Sequence, residues 1–243
     1  MAEVATNEHL SLLKGLYPTS SFDKVAEYVE NPWYIVTAVA FSASNRPDAV
    51  ALVFKFVMAG LSALSGSHDD KQLVVLRMRE AIFKAGLISG YSRAISALIA
   101  LNEVTPEEFK YKKLLREVDN DKVSDLVSRG DGLFEAMYGT TAAPVQTLLE
   151  EIHPDMGWFS KNIAYGYVYQ TVGILSQRDT SYAIVAALIA MDTPRQIGWH
   201  LANCKRGGAR HEEICSIRDI SMRVASACGV KWRDGVPEVQ ADE

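Results

Sequence analysis

Apolar residues recur at three- and four-residue steps along most of this chain, as Leu73, Leu76, Ile82 and Phe83 do within residues 70 to 88. That is the period of helices with one buried face. Alternation of period two is scarce, so the sequence predicts an all-α fold. The helix boundaries follow a repeated grammar. Asn45-Arg46-Pro47-Asp48 puts Pro in a first turn, and Thr105-Pro106-Glu107-Glu108 has the form of a capping box with Pro at the first helical position. Thr193-Pro194-Arg195-Gln196 has the same form and predicts a helix from residue 194 to Gly207-Gly208, where a left-handed cap suits Gly. Another helix is expected from about Arg210 to Ala227, with Gly229 just behind it and an irregular tail from Val230.

The chain also resembles itself. When Arg77 is set over Arg178, Leu87-Ile88 falls on Leu188-Ile189; after one inserted residue, Arg93-Ala94-Ile95 falls on Arg195-Gln196-Ile197. Two helical repeats are expected, residues 1–118 and 119–243, divided at the polar break Asp119-Asn120-Asp121-Lys122.

A length of 243 residues with 48% hydrophobic content supplies an ample core. Twenty-five basic against 30 acidic residues, interspersed, leave no basic stripe to follow a phosphate backbone, so nucleic acid is not an expected partner. The longest apolar stretches, Trp33 to Phe41 and Tyr182 to Met191, fall short of the roughly 20 residues that span a bilayer, and no membrane partner is expected. The start of the chain lacks the pattern of a secretory or transit peptide. Cys204, Cys215 and Cys228 form no CxxC pair, and Ala241-Asp242-Glu243 is not a peroxisomal address. These features together lead to the expectation of a cytoplasmic protein.

Gly198-Trp199-His200 through Gly207-Gly208-Ala209, followed by Glu212-Glu213-Ile214, together with Arg129-Gly130-Asp131, Tyr138-Gly139, Pro154-Asp155 and Tyr165-Gly166, resembles the fungal, long-chain branch of the carboxymuconolactone decarboxylase-like and alkylhydroperoxidase D-like superfamily. The first half matches more loosely, through Arg79-Glu80 and Gly90-Tyr91-Ser92-Arg93-Ala94. The resemblance implies two degenerate helical repeats packed in one chain, a symmetric homo-oligomer, a small-molecule substrate, and neither cofactor nor metal.

A thiol peroxidase of that superfamily uses a Glu, a CxxC and a His, but the corresponding positions here read Ser181, Thr193, Gln196 and His200, and in the first half Glu80, Ser92 and Leu98. Without the cysteines, peroxidase-like redox chemistry is the weakest alternative. A decarboxylase, isomerase or cyclase needs only an imidazole to move a proton and an Arg to hold an anion. His200, with Glu80 or Tyr165, is the catalytic candidate, and Arg195, Arg93, Ser181, Tyr169 and Trp199 are the substrate-binding candidates. Arg195 and His200 diverge by roughly 140° on one helix, which makes a shared cavity difficult. Each candidate has a plainer alternative: a core His, a surface or inter-repeat ion pair at Glu80, and aromatic packing at Tyr165 and Tyr169. Cys204 reads as a packed thiol. The competing function is a non-catalytic helical binding or scaffold protein.

Overall fold

The computed structural model describes residues 4–19, 23–116, 123–170 and 173–241; the polar break at residues 119–122 lies outside them. The described chain is all-helical: α1 (Asn7–Leu16), α2 (Lys24–Glu30), α3 (Trp33–Ala43), α4 (Pro47–Ala63), α5 (His68–Ser89), α6 (Tyr91–Val104), α7 (Val123–Tyr138), α8 (Ala142–Ile152), α9 (Pro154–Phe159), a π-helix (Ser160–Tyr169), α10 (Gln177–Ala190), α11 (Pro194–Arg206) and α12 (His211–Ala227). Helix α11 begins and ends where expected, and so does α12. The segment after Thr105 differs. It makes only a 3₁₀ turn, Glu107–Phe109, and the Thr105 hydroxyl donates back to the Leu101 carbonyl instead of capping forward.

The two longest apolar stretches are the centre of the molecule. Every residue of α3 is buried, and so is α10 from Asp179 onward. A helix that is apolar all round must be surrounded by protein. Small residues, Ala38, Ala40 and Ala43 on α3 with Ala183, Ala186 and Ala187 on α10, allow the close approach, and the two helices pack on one another. Around them α5 and α12 cross over: α10 packs on α5 and α3 on α12, so helices from both halves build one continuous core. None of the described helices is long and apolar enough to cross a membrane.

The two halves share a local backbone pattern, in a register different from the one in which Arg77 is set over Arg178. Two residues past the end of α3 stands Asn45 (φ 57°), and two past the end of α10 stands Asp192 (φ 53°), both in the left-handed region, and each is followed by a helix opening on Pro47 or Pro194. The intervening residues, Arg46 and Thr193, have nearly the same backbone angles, φ −121°, ψ 67° and φ −116°, ψ 73°. The third helix of each set opens on an acidic residue that accepts the preceding backbone N–H, Asp70 from Ser67 and Glu213 from Arg210. These turns and caps set α3–α4–α5 against α10–α11–α12, a correspondence that side-chain likeness in amphipathic helices does not reveal.

The motif glycines Gly130 and Gly166 have a packing reason. A Cβ on Gly130 would stand 2.0 Å from the Lys161 carbonyl oxygen, and one on Gly166 would stand 2.2 Å from that of Leu126, so α7 and the π-helix touch backbone to backbone. Gly130→Ala and Gly166→Ala should each cost about 1–3 kcal/mol by forcing the two helices apart. Gly132→Ala, where the added methyl meets open space, should instead gain up to about 1 kcal/mol of helix propensity. Urea unfolding of the three variants checks this, and equal behaviour would mean that the close crossing is not made in solution.

Candidate functional site

Helix α11 points His200 inward. The ring is 5% exposed and ends a chain of polar groups in which Tyr165 Oη donates to Tyr138 Oη (3.2 Å), which lies 3.3 Å from His200 Nε2. On its other side Nδ1 is 3.3 Å from the Asn203 amide nitrogen. The orientation of that amide is fixed from outside, because Asn203 Oδ1 accepts from Arg206 (3.0 Å), which also donates to the Met137 carbonyl. Asn203 therefore presents N–H to Nδ1, so Nδ1 must be the acceptor and Nε2 carries the proton toward Tyr138. Both ring nitrogens are satisfied in the neutral form. A second proton would set N–H against N–H, and burial alone already holds the imidazole down at about 4.

Four cavities among the described residues, of 770, 730, 570 and 260 Å³, are lined by side chains other than His200, Tyr138, Tyr165 and Asn203. The Tyr165 and Tyr169 rings meet edge to face at 5.2 Å, Tyr138 stacks on Phe134 at 4.6 Å, and half-buried Trp199 packs its ring edge against Tyr138 at 6.5 Å. Cys204, one turn on, is fully buried and its thiol is pushed up by that burial, the opposite of an activated nucleophile.

The other expected site residues lie elsewhere. Arg195 is exposed in the first turn of α11. Arg93 donates to the Ala43 carbonyl and to Met191 Sδ, tying together the ends of α3 and α10. The Ser181 hydroxyl is buried in α10 with no partner among the described residues. Glu80 belongs to a separate network. Arg116 clasps its carboxylate with both terminal nitrogens, and fully buried Lys84 stands 3.8 Å from it. The two cations also satisfy the last carbonyls of the π-helix: Arg116 donates to Tyr167 (3.1 Å) and Val168 (2.6 Å), and Lys84 to Tyr169 (3.1 Å) and to Thr180 Oγ1 (2.9 Å). Glu80 is thus the shared anion of an ion-pair network that joins α5 to the non-helical segment around Arg116. Burial lowers Lys84 to about 8 in spite of that carboxylate.

Sequence reasoning missed Tyr138, Asn203 and Arg206 as the partners of His200. Asn203 and Arg206 were visible as its neighbours at three-residue steps on α11. Tyr138 stood in the Tyr138-Gly139 motif, where Gly139 (φ 54°) leaves room for the Arg206 side chain.

Glu80 and Arg116 also floor an open groove of 770 Å³ between α5, α6 and the segment 105–116. Phe83, Ile95, Ile99 and Leu114 line it and remain 37%, 41%, 54% and 75% exposed. The Arg116 guanidinium lies 4.7 Å over the Phe83 ring.

No family model matches the chain. A relative from Schizosaccharomyces pombe named "Peroxisomal protein 2" is 29% identical over 84% of this chain and 90% of its own length. One of the same name from Saccharomyces cerevisiae is 23% identical over 86% and 92%. The relatives are fungal, as the resemblance implied. Their names overturn the cytoplasmic expectation and point to the peroxisome. That expectation leaned on the absence of particular address motifs and on the unpaired cysteines, neither of which excludes other routes to the organelle.

The neutral, sealed ring makes a pH prediction. An unfolded His titrates near 6.5, whereas His200 in the fold stays neutral to about 4. Below pH 6.5 the unfolded chain therefore gains a proton that the native state refuses, and stability present above 6.5 is lost as pH falls toward 4. The loss should amount to about 3 kcal/mol. Urea unfolding at pH 7.5, 6 and 5 should show His200→Leu less stable at neutral pH but with a shallower acid slope than the parent. Parallel slopes would mean that the ring titrates freely.

Proposed function

We propose that this chain is a peroxisomal, non-catalytic helical binding protein whose working surface is the α5–α6 groove. The observation that carries the proposal is the pairing around His200: both nitrogens are occupied, the ring is buried and neutral, and the cavities of 770, 730, 570 and 260 Å³ are lined by other residues. Proton transfer to an organic substrate requires that substrate within hydrogen-bond reach of the ring, and packed aromatic side chains occupy that space. We read the architecture as a carboxymuconolactone decarboxylase-like helical unit present twice, which has kept the packing while lacking the paired thiols. The groove, by contrast, is of the size of small-molecule sites, about 300–1,000 Å³, and leaves large apolar side chains uncovered.

A second reading, an enzyme of lyase or isomerase type, is favoured by the Tyr165–Tyr138–His200 chain, whose 3.2 and 3.3 Å steps could relay a proton. One experiment separates the two. Small-molecule extracts of peroxisomes are fractionated and scored by thermal stabilisation of the parent protein, of Ile99→Asp and of His200→Leu. For a groove-binding protein, a stabilising fraction should act on the parent and on His200→Leu, fail on Ile99→Asp, and yield a ligand whose mass is unchanged after incubation. Conversion of the ligand by the parent but not by His200→Leu would establish the enzyme instead.

A further inference from the structure

We propose that the α5–α6 groove binds an amphipathic organic anion, a carboxylate carried on a hydrocarbon tail. The inference rests on the groove being the binding surface and adds the chemistry of the ligand. The tail is specified by one wall from α5, Val75, Leu76 and Phe83, and one from α6, Ile95, Leu98 and Ile99, with exposed Leu114 across the mouth. Val75 is fully buried and only backs the wall, but the others are left partly in water and gain from a hydrocarbon partner, at roughly 25 cal/mol per Å² covered.

The head group is specified by charge. In a chain of net charge −5, the groove is lined by four cations, Arg79, Lys110, Lys113 and Arg116, against two carboxylates, Glu80 and Glu103. Arg116 and Glu80 neutralise one another at the floor. Lys110 leans outward to Glu107 at 3.1 Å. Arg79 donates to the Tyr111 carbonyl at 2.8 Å, which uses one of its five N–H groups and holds the guanidinium at the groove wall. Lys113 is exposed at the rim. Arg79 and Lys113 are therefore placed to take a carboxylate at one edge of an apolar trough, and a guanidinium with free N–H groups suits that anion bidentately.

The test is calorimetric titration of the full chain with sodium decanoate, with decan-1-ol and sodium butyrate as the neutral and tail-less probes. Decanoate should bind at least tenfold more tightly than either. Lys113→Glu combined with Arg79→Gln should weaken decanoate binding at least tenfold with the melting temperature kept near that of the parent, while Ile99→Asp should abolish it. If decanol binds as well as decanoate and the charge variant matches the parent, while Ile99→Asp still removes binding, the anion inference falls and the binding groove stands. If none of the probes binds, and sedimentation shows a dimer that Ile99→Asp converts to a monomer, the face belongs to a second copy of the chain and both proposals fall.

Discussion

The carboxylate of Glu80 is the point on which the assembly of the outer helices depends. An α- or π-helix leaves its last carbonyls without partners, and the π-helix ends inside the protein, where water cannot serve them. Arg116 and Lys84 supply the missing donors to Tyr167, Val168 and Tyr169. Two cations so close together are unfavourable unless an anion lies between them, and Glu80 is that anion. One carboxylate on α5 thereby docks the π-helix, anchors the segment leading to α7 and, through Lys84 and Thr180, fastens the start of α10. Three residues earlier on the same face of α5, Arg77 pairs with Asp179 at 3.4 Å and donates to the Glu30 carbonyl at the end of α2. Helix α5 is a charged spine inside an otherwise apolar bundle.

That spine explains what was legible in the sequence and what was not. Local rules found the elements: Pro194 opens α11, Gly207-Gly208 closes it, and the all-round apolar character of residues 33–41 and 182–191 marks the central pair. Local rules also allowed an inter-repeat ion pair at Glu80, but they could not name its partners, because Arg116 lies 36 residues away along the chain and Lys84 reaches the π-helix across 85 residues. The correspondence of the turns was hidden for a related reason. Side chains that look alike in two amphipathic helices carry little information about backbone correspondence, whereas Asn45 and Asp192 adopt the same rare conformation in spite of different side chains.

The correct register also bears on the candidate catalytic residue. Counted from Pro47 and Pro194, the counterpart of His200 on α4 is Val53, not Leu98, and the counterpart of Cys204 is Val57; both valines are fully buried. The imidazole and the thiol occupy positions that face the core in both copies. What differs is the covering helix. Helix α4 is covered by α6, while α11 is covered by α7, which brings Tyr138 to the ring. A polar ring at a core position is tolerable only if every polar atom is paired, and Tyr138, Asn203 and Arg206 provide that pairing. The same position that pairs His200 in the core also keeps its ring neutral, through burial.

The exposed apolar side chains follow from the same geometry. Helix α6 buries Ala94, Ala97 and Leu101 against α4 and α5, which leaves Tyr91, Ile95 and Ile99 on the opposite side. In a chain whose two central helices are so thoroughly enclosed, the trough of Phe83, Ile95, Ile99 and Leu114 is one of the places where large apolar side chains stand exposed, as Ile152, Met156, Trp158 and Phe159 do on α8 and α9. Folding alone would favour polar residues there, since an uncovered apolar surface of this extent stabilises nothing in the isolated protein. The cations at its rim argue the same way, because lysine and arginine do not improve an apolar core but do select what enters a groove. The interior ion pairs and the paired imidazole meet the demands of the core, whereas the exposed apolar side chains on the outer face of α5 and α6 answer no such demand.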